Sequence, residues 1–312
     1  MALEGKQPDY VPTFELAFQL TEEAFGEKFY QGKENDVLSE RDRREMCFKN
    51  AELYLKIAER YEHSIIMISI APSSIFPQRS QELVWTMNFI RDAARKKGED
   101  YLLITHGDAT FAIPDGDWMH EMIELMADNP EKLKEKAEKI VYERSGHHLF
   151  YALSGFDGFA LCDDYAFNTN PFFSPGQFRE YVQPYLKRII TTYRQLGKYV
   201  IKHTDGNIMP IFDQLLECGP HAIHSLDPQG YMDIAEVKRR YGRQVALCGN
   251  VNCGLIQTGT ESEVIESCEY SMKYGKPGGG YIFCTSNCAF NGMPLNRYEL
   301  VNEYWRKNRS YL

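Results

Sequence analysis

Short apolar runs alternate with longer stretches of helical periodicity along almost the whole chain. Eight runs of six to nine residues, rich in Val, Ile, Tyr and Phe, read as strands: 11–16, 64–70, 101–107, 157–164, 198–206, 221–228, 244–250 and 280–286. Turn formers flank them: Gln7-Pro8-Asp9 before the first, Ala71-Pro72 after the second, Cys218-Gly219-Pro220 before the sixth and Gly278-Gly279-Gly280 at the last. In 41–61, Ala51, Tyr54, Leu55, Ala58 and Tyr61 recur at spacings of three and four, which marks one apolar helix face. A second helix is predicted over 80–97, ending at Gly98. Asn129-Pro130 reads as an N-cap with proline in the first turn. Ser174-Pro175-Gly176-Gln177 reads as a capping box opening a helix to Leu196, with Gly197 as the stop and Pro184 as a kink. Another helix is predicted over 262–274.

Alternating strands and helices imply a parallel sheet, and eight strands imply its closure. The predicted fold class is α/β, a single (β/α)₈ barrel spanning residues 1–312 as one domain. It would carry an N-terminal helical extension and a long insertion after the third strand. The segments 17–40 and 107–150 exceed ordinary connections and are expected to border the mouth. The length of 312 residues suits this, since such barrels take about 250.

Composition narrows the function classes. With 43% hydrophobic and 25% charged residues the chain is an ordinary globular sequence. A net charge of −9 disfavours a nucleic-acid partner, which needs clustered Lys and Arg. The longest aliphatic segment, 64–71, is too short to span a bilayer, and the N-terminus lacks a basic stretch followed by an apolar run. A cytoplasmic protein with reduced thiols is expected, without membrane or nucleic-acid partners. Eight cysteines then pose a question. Cys47, Cys162, Cys218 and Cys268 read as packing, and Cys253 and Cys284 lie near a rim without an assigned role.

Barrel active sites lie at the C-terminal ends of the strands. Those ends hold Glu15; His106 with Asp108; Asp163 and Asp164; His203 and Asp205; Asp227; Cys248, Asn250 and Asn252; and Cys284, Asn287 and Cys288. His203 and Asp205 are two apart on a strand and so point the same way. Zinc accepts imidazole, carboxylate and thiolate, with an open position in catalytic sites. The ordinary alternative is a hydrogen-bonded structural His and a loop-satisfying Asp. The segment 164–173 could supply an aromatic wall, or could pack beneath the following helix. His147-His148 reads as surface or packing.

The segments ALEGKQPDYVP (2–12), DDYAFNTNPFFSPGQFREYVQPYLKRI (163–189), KHTDGN (202–207), GNVNCGLIQTGT (249–260) and CTSNCAFNGMP (284–294) resemble the uroporphyrinogen decarboxylase superfamily. The resemblance runs over about residues 2 to 305 and implies the same barrel. Decarboxylases of that superfamily carry an arginine-rich signature after the first strand, where this chain reads ELAFQLTEEAFG (15–26). The other branch is the corrinoid-dependent methyltransferases. Their zinc is held by a His-x-Cys element on the fifth strand and a Cys after the eighth. His203 and Cys288 match that pattern, whereas Asp205 stands where Cys is usual.

The resemblance therefore implies a zinc-dependent methyltransferase. It would move a methyl group from a small O-methylated, methoxyaromatic-type substrate to the cobalt(I) of a separate corrinoid protein. Zinc would be a Lewis acid drawn from His203, Asp205, Cys248 and Cys288. Asp164 and Asn250 would be catalytic, and Glu15, His106, Tyr165, Phe167, Asn168, Phe172 and Asp227 would bind substrate. A homodimer is compatible with this reading. The alternatives are a decarboxylase of the same fold and a non-catalytic barrel.

Overall fold

The computed structural model describes residues 1–30, 38–69 and 80–311. The end of the second strand candidate, at Ile70, and the Ala71-Pro72 turn lie outside them. Seven strands form one parallel sheet in sequential order: β1 (Ile65–Met67), β2 (Leu102–His106), β3 (Gly158–Leu161), β4 (Tyr199–Thr204), β5 (Ala222–Ser225), β6 (Ala246–Cys248) and β7 (Tyr281–Ile282). The extended segment 11–16 fills the remaining gap. Thr13 pairs in parallel with Phe283, the Phe283 amide donates to the Pro12 carbonyl at 2.9 Å, and the Ser64 amide donates to Thr13 at 2.8 Å. Eight extended segments thus form a barrel-like ring.

Alternation along the strands sorts the apolar residues into two layers. Phe14, Ile65, Ile104, Ala160, Ile201, Ala222, Ala246 and Ile282 fill the barrel interior. The N-terminal helical extension is a single 3-10 turn, Ala2–Glu4, whose Ala2 and Leu3 join this interior cluster. The opposite residues, such as Leu103, Phe159, Val200, Ile223 and Leu247, pack outward in the larger core. The helices are α1 (Thr21–Phe25), α2 (Glu40–Tyr61), α3 (Ser80–Lys97), α4 (Gly116–Asp128), α5 (Pro130–Ser154), α6 (Pro175–Tyr181), α7 (Gln183–Gln195), α8 (Phe212–Glu217), α9 (Ile234–Tyr241), α10 (Cys253–Thr258), α11 (Glu261–Gly275) and α12 (Leu295–Asn308).

Local chemistry explains the boundaries. Asn129 caps α5 through Lys132, and Ser174 and Gln177 close the capping box of α6. The stretch expected as one kinked helix is two, broken at Val182. Pro184 in the first turn of α7 lacks an N–H and crowds the preceding turn. The long insertion after β2 comprises the loop 107–115 with α4 and α5. His147 and His148 lie within α5, and the buried His148 ring packs beside Phe159 and Tyr193. Among the described residues no helix is long and apolar enough to cross a membrane.

Candidate metal centre

Three side chains converge at the C-terminal rim: Asp164 after β3, His203 on β4 and Asp205 just beyond β4. Their ligand atoms all lie within 4.8 Å of one another. His203 Nε2 stands 3.8 Å from both Asp164 Oδ1 and Asp205 Oδ1. That is too long for a direct hydrogen bond and leaves room for an ion between them.

The surroundings hold each donor in place. The Asp205 amide donates to Asp164 Oδ1 at 2.9 Å, which ties the β4 terminus to the β3 loop. Ser225 Oγ lies 2.6 Å from Asp205 Oδ1, and Asn287 Nδ2 donates to Asp205 Oδ2. Ser225 Oγ also lies 2.6 Å from the Ser286 carbonyl, so one hydroxyl ties β4, β5 and the loop after β7 together. It does so from an uncommon conformation, with Ser225 at φ 87° and Leu226 at φ 49°. Such backbone costs about 1–3 kcal/mol per residue and clusters at functional sites. Gly206, at φ 77°, is required next to Asp205. A Cβ there would sit 2.5 Å from the carbonyl oxygens of Ala166 and Phe167.

His203 is neutral, because burial, aided by the Lys202 charge, holds it down to about 3. Its Nδ1 lies 2.8 Å from Nδ1 of His224 on β5. One of the two nitrogens must carry the shared proton. If it is His203, Nε2 presents a lone pair to the two carboxylates, as a metal ligand must. His224 then carries its proton on Nε2, a fully buried atom without a hydrogen-bond partner among the described residues, and its ring packs T-shaped against Phe14 with centroids 5.5 Å apart. Burial lifts the Asp205 carboxyl to about 7, as expected where a carboxylate lacks its counter-charge. One imidazole and two carboxylates fit a divalent cation with coordination positions left open.

The remaining candidates fall elsewhere. Cys248 lies in the same interior row, but the register runs His203–His224–Cys248. His224 therefore intervenes, and two strand spacings, roughly 9.5 Å, separate the two backbones. Cys248 is wholly buried, and burial pushes its thiol far up. Cys288 is not in the cluster; the loop after β7 reaches Asp205 through the amide of its neighbour Asn287. Glu15 points outward, since Phe14 and Leu16 face the interior. It is buried, accepts from the amide and hydroxyl of Thr285, and is lifted to about 8 by burial.

Asn250 donates to the Leu226 carbonyl at 2.9 Å and accepts from Ser271 on α11, so it braces the β6 loop and not the cluster. Asp227 caps the turn at Pro228–Gly230 through the Gln229 amide. The buried Tyr165 meets Thr110 at 2.7 Å and packs on Phe178. Phe167 and Asn168 are exposed on the rim, with Phe172 half-buried beside Phe167. His106 sits on β2 beside Asp108 and Cys162. Sequence reasoning did not single out Ser225 and His224, which touch Asp205 and His203. Both lie in the apparent strand HAIHSLDP, whose composition shows nothing of their contacts.

A family model described as uroporphyrinogen decarboxylase (URO-D) matches residues 115–307. No curated protein matches the chain. Among solved structures, a methyltransferase from Methanosarcina mazei is similar over 98% of this chain and 96% of its own, with a TM-score of 0.72 and 14% identity.

Proposed function

The chain belongs to the uroporphyrinogen decarboxylase family, and from that premise we propose that it is a zinc-dependent methyltransferase. It transfers a methyl group from a small O-methylated, methoxyaromatic-type substrate to the cobalt(I) of a separate corrinoid protein. The observation that carries this reading is the Asp164–His203–Asp205 cluster at the barrel mouth. The fold shared with the Methanosarcina mazei methyltransferase is compatible with it.

Asp164, His203 and Asp205 would hold the zinc, which would supply Lewis-acid stabilisation of the phenolate left on the ether oxygen when the methyl group goes to cobalt. His203 stays neutral, so its Nε2 remains a donor at neutral pH. Ser225 and Asn287 fix the two Asp205 oxygens, and His224 fixes the His203 ring, which keeps the cost of reorganising the donors low. Phe167 and Phe172 offer a rim on which an aromatic ring could rest, and Asn168 a nearby amide. Asp108, Asp163, Asp164, Asp205 and Asp227 crowd the same rim, against Lys202 and Arg144. A substrate bearing many carboxylates would be repelled there, which disfavours decarboxylation of a tetrapyrrole polyacid.

The test is metal analysis combined with methyl transfer. Purified protein should hold zinc that His203→Ala and Asp205→Ala lose. Cobalt(I) absorption of an added corrinoid protein should change with a methoxyarene present, and not with those variants. Cys288→Ser should keep the metal. Wild-type protein that binds no zinc, or methyl transfer indifferent to His203 and Asp205, would overturn the reading.

A further inference from the structure

We propose that the barrel mouth carries a second metal site, formed by His106, Asp108 and Cys162, that takes a zinc-class divalent cation through nitrogen, oxygen and sulfur. The inference stands apart from the methyltransferase reading, since it uses none of the residues of the first cluster.

Geometry comes first. The ligand atoms of His106, Asp108 and Cys162 lie within 4.8 Å of one another. His106 ends β2, and Cys162 follows β3. Both face the mouth by alternation from the interior residues Ile104 and Ala160. All three are half-buried, so an ion can reach them. Asp108 is fixed from both sides. One of its oxygens accepts from the Cys162 amide and the other from the Asp163 amide at 3.1 Å. That bridge places the carboxylate over the strand that bears the thiol. Each oxygen keeps a second lone pair for a cation. No hydrogen bond holds the His106 ring among the described residues. An imidazole, a carboxylate and a thiolate are the donor types that zinc and cobalt(II) accept together.

The charge balance points the same way. Asp108 and Asp163 stand beside each other with Asp164 nearby. Lys202 is the fully buried cation facing them, with Nζ 3.9 Å from Asp108 Oδ1. Its ammonium is already engaged by the carbonyls of Leu161 at 3.2 Å and Asp163 at 2.7 Å and by the face of Tyr165. Arg144 donates to the Asp108 backbone carbonyl at 3.4 Å and also faces the two carboxyls. Thr110 donates to Asp163 from its amide and its hydroxyl. Asp108 and Asp163 thus meet at this corner beside an ammonium already engaged by carbonyls. A divalent ion would bind the free lone pairs of Asp108, and the Cys162 thiol would release its proton on binding.

Cys162 is the sole cysteine in either ligand group among the described residues, which gives the second site a spectroscopic signature. The full chain is stripped of metal, loaded with cobalt(II) and freed of excess ion. Bound cobalt and near-ultraviolet thiolate-to-cobalt absorption are then measured. The expected result is two equivalents and a thiolate band. Cys162→Ser should abolish the band and one equivalent, whereas Asp205→Asn should remove the other equivalent and leave the band. His106→Gln, which spares the thiol, should weaken the band-bearing site at least about tenfold. The proposal falls if wild-type protein binds a single equivalent, if the band survives in Cys162→Ser, or if Asp205→Asn abolishes the band. The methyltransferase reading survives each of those outcomes provided the Asp205-dependent equivalent is present.

Discussion

Asp205→Asn tests the metal centre through stability, without any substrate. The Asp205 side chain is 26% exposed, and burial lifts its carboxyl from 3.8 to about 7 in the metal-free fold. The native state then holds the proton more tightly than the unfolded chain does. Stability is greatest below about pH 4 and is lost as pH rises toward about 7. Three pH units at about 1.4 kcal/mol each set the full loss at about 4 kcal/mol. Asparagine abolishes that slope. Its amide cannot accept from both Ser225 and Asn287, so it forfeits one hydrogen bond worth about 1 kcal/mol. The metal-free variant should be less stable than wild type in acid, equal at about pH 4.5, and more stable by about 3 kcal/mol at pH 8. Zinc nearly closes the gap at pH 8 and puts wild type ahead at lower pH. At a hundredfold excess over Kd it adds about 2.7 kcal/mol to a binding-competent protein and much less to the variant. Urea titrations from about pH 3.5 to 8, with chelator and with zinc, supply the comparison. Parallel pH profiles of the two metal-free proteins, or an equal zinc increment in both, would refute the reasoning.

Other residues give sharper local tests. Glu15→Gln should flatten the loss of stability that wild type shows between about pH 4.5 and 8, because burial keeps the native carboxyl protonated up to about 8; urea midpoints across that range decide it, and an unchanged slope refutes it. At about pH 4, below the range where the buried carboxyl loses stability, Glu15→Ala should cost about 2–3 kcal/mol, since it leaves the Thr285 amide and hydroxyl unpartnered. Gly206→Ala should destabilise by at least about 2 kcal/mol and weaken metal retention, as its Cβ meets two carbonyl oxygens from a left-handed backbone; a variant that unfolds and binds zinc like wild type counts against the assignment. His224→Phe should weaken zinc affinity about 10- to 100-fold in a chelator competition by removing the partner of His203 Nδ1.

What the sequence shows and what it hides divide along a physical line. Helix ends were legible because their chemistry is local: Asn129, Ser174 with Gln177, and Pro184 act within one turn. The strands were legible as apolar runs, and their order followed from alternation with helices. Asp164, His203 and Asp205 stood out because polar residues at strand ends are chemically conspicuous. The side to which a barrel residue points was hidden where both faces are buried. Phe14, Glu15 and Leu16 carry no amphipathic signal, so Glu15 could be placed at the mouth from sequence although it faces the helical layer. Distances across strands were hidden for the same reason. Cys248 ends a strand as His203 nearly does, and only the register reveals His224 between them. Cys288 was a conspicuous metal-capable residue, yet Asn287 beside it reaches Asp205. Conversely, Cys162 looked like packing inside an apolar strand, and its meeting with His106 and Asp108 depends on a loop that returns after Gly107. Residue type and strand position therefore select which groups can serve as ligands. The register of neighbouring strands and the loops that close over them decide which of those groups meet.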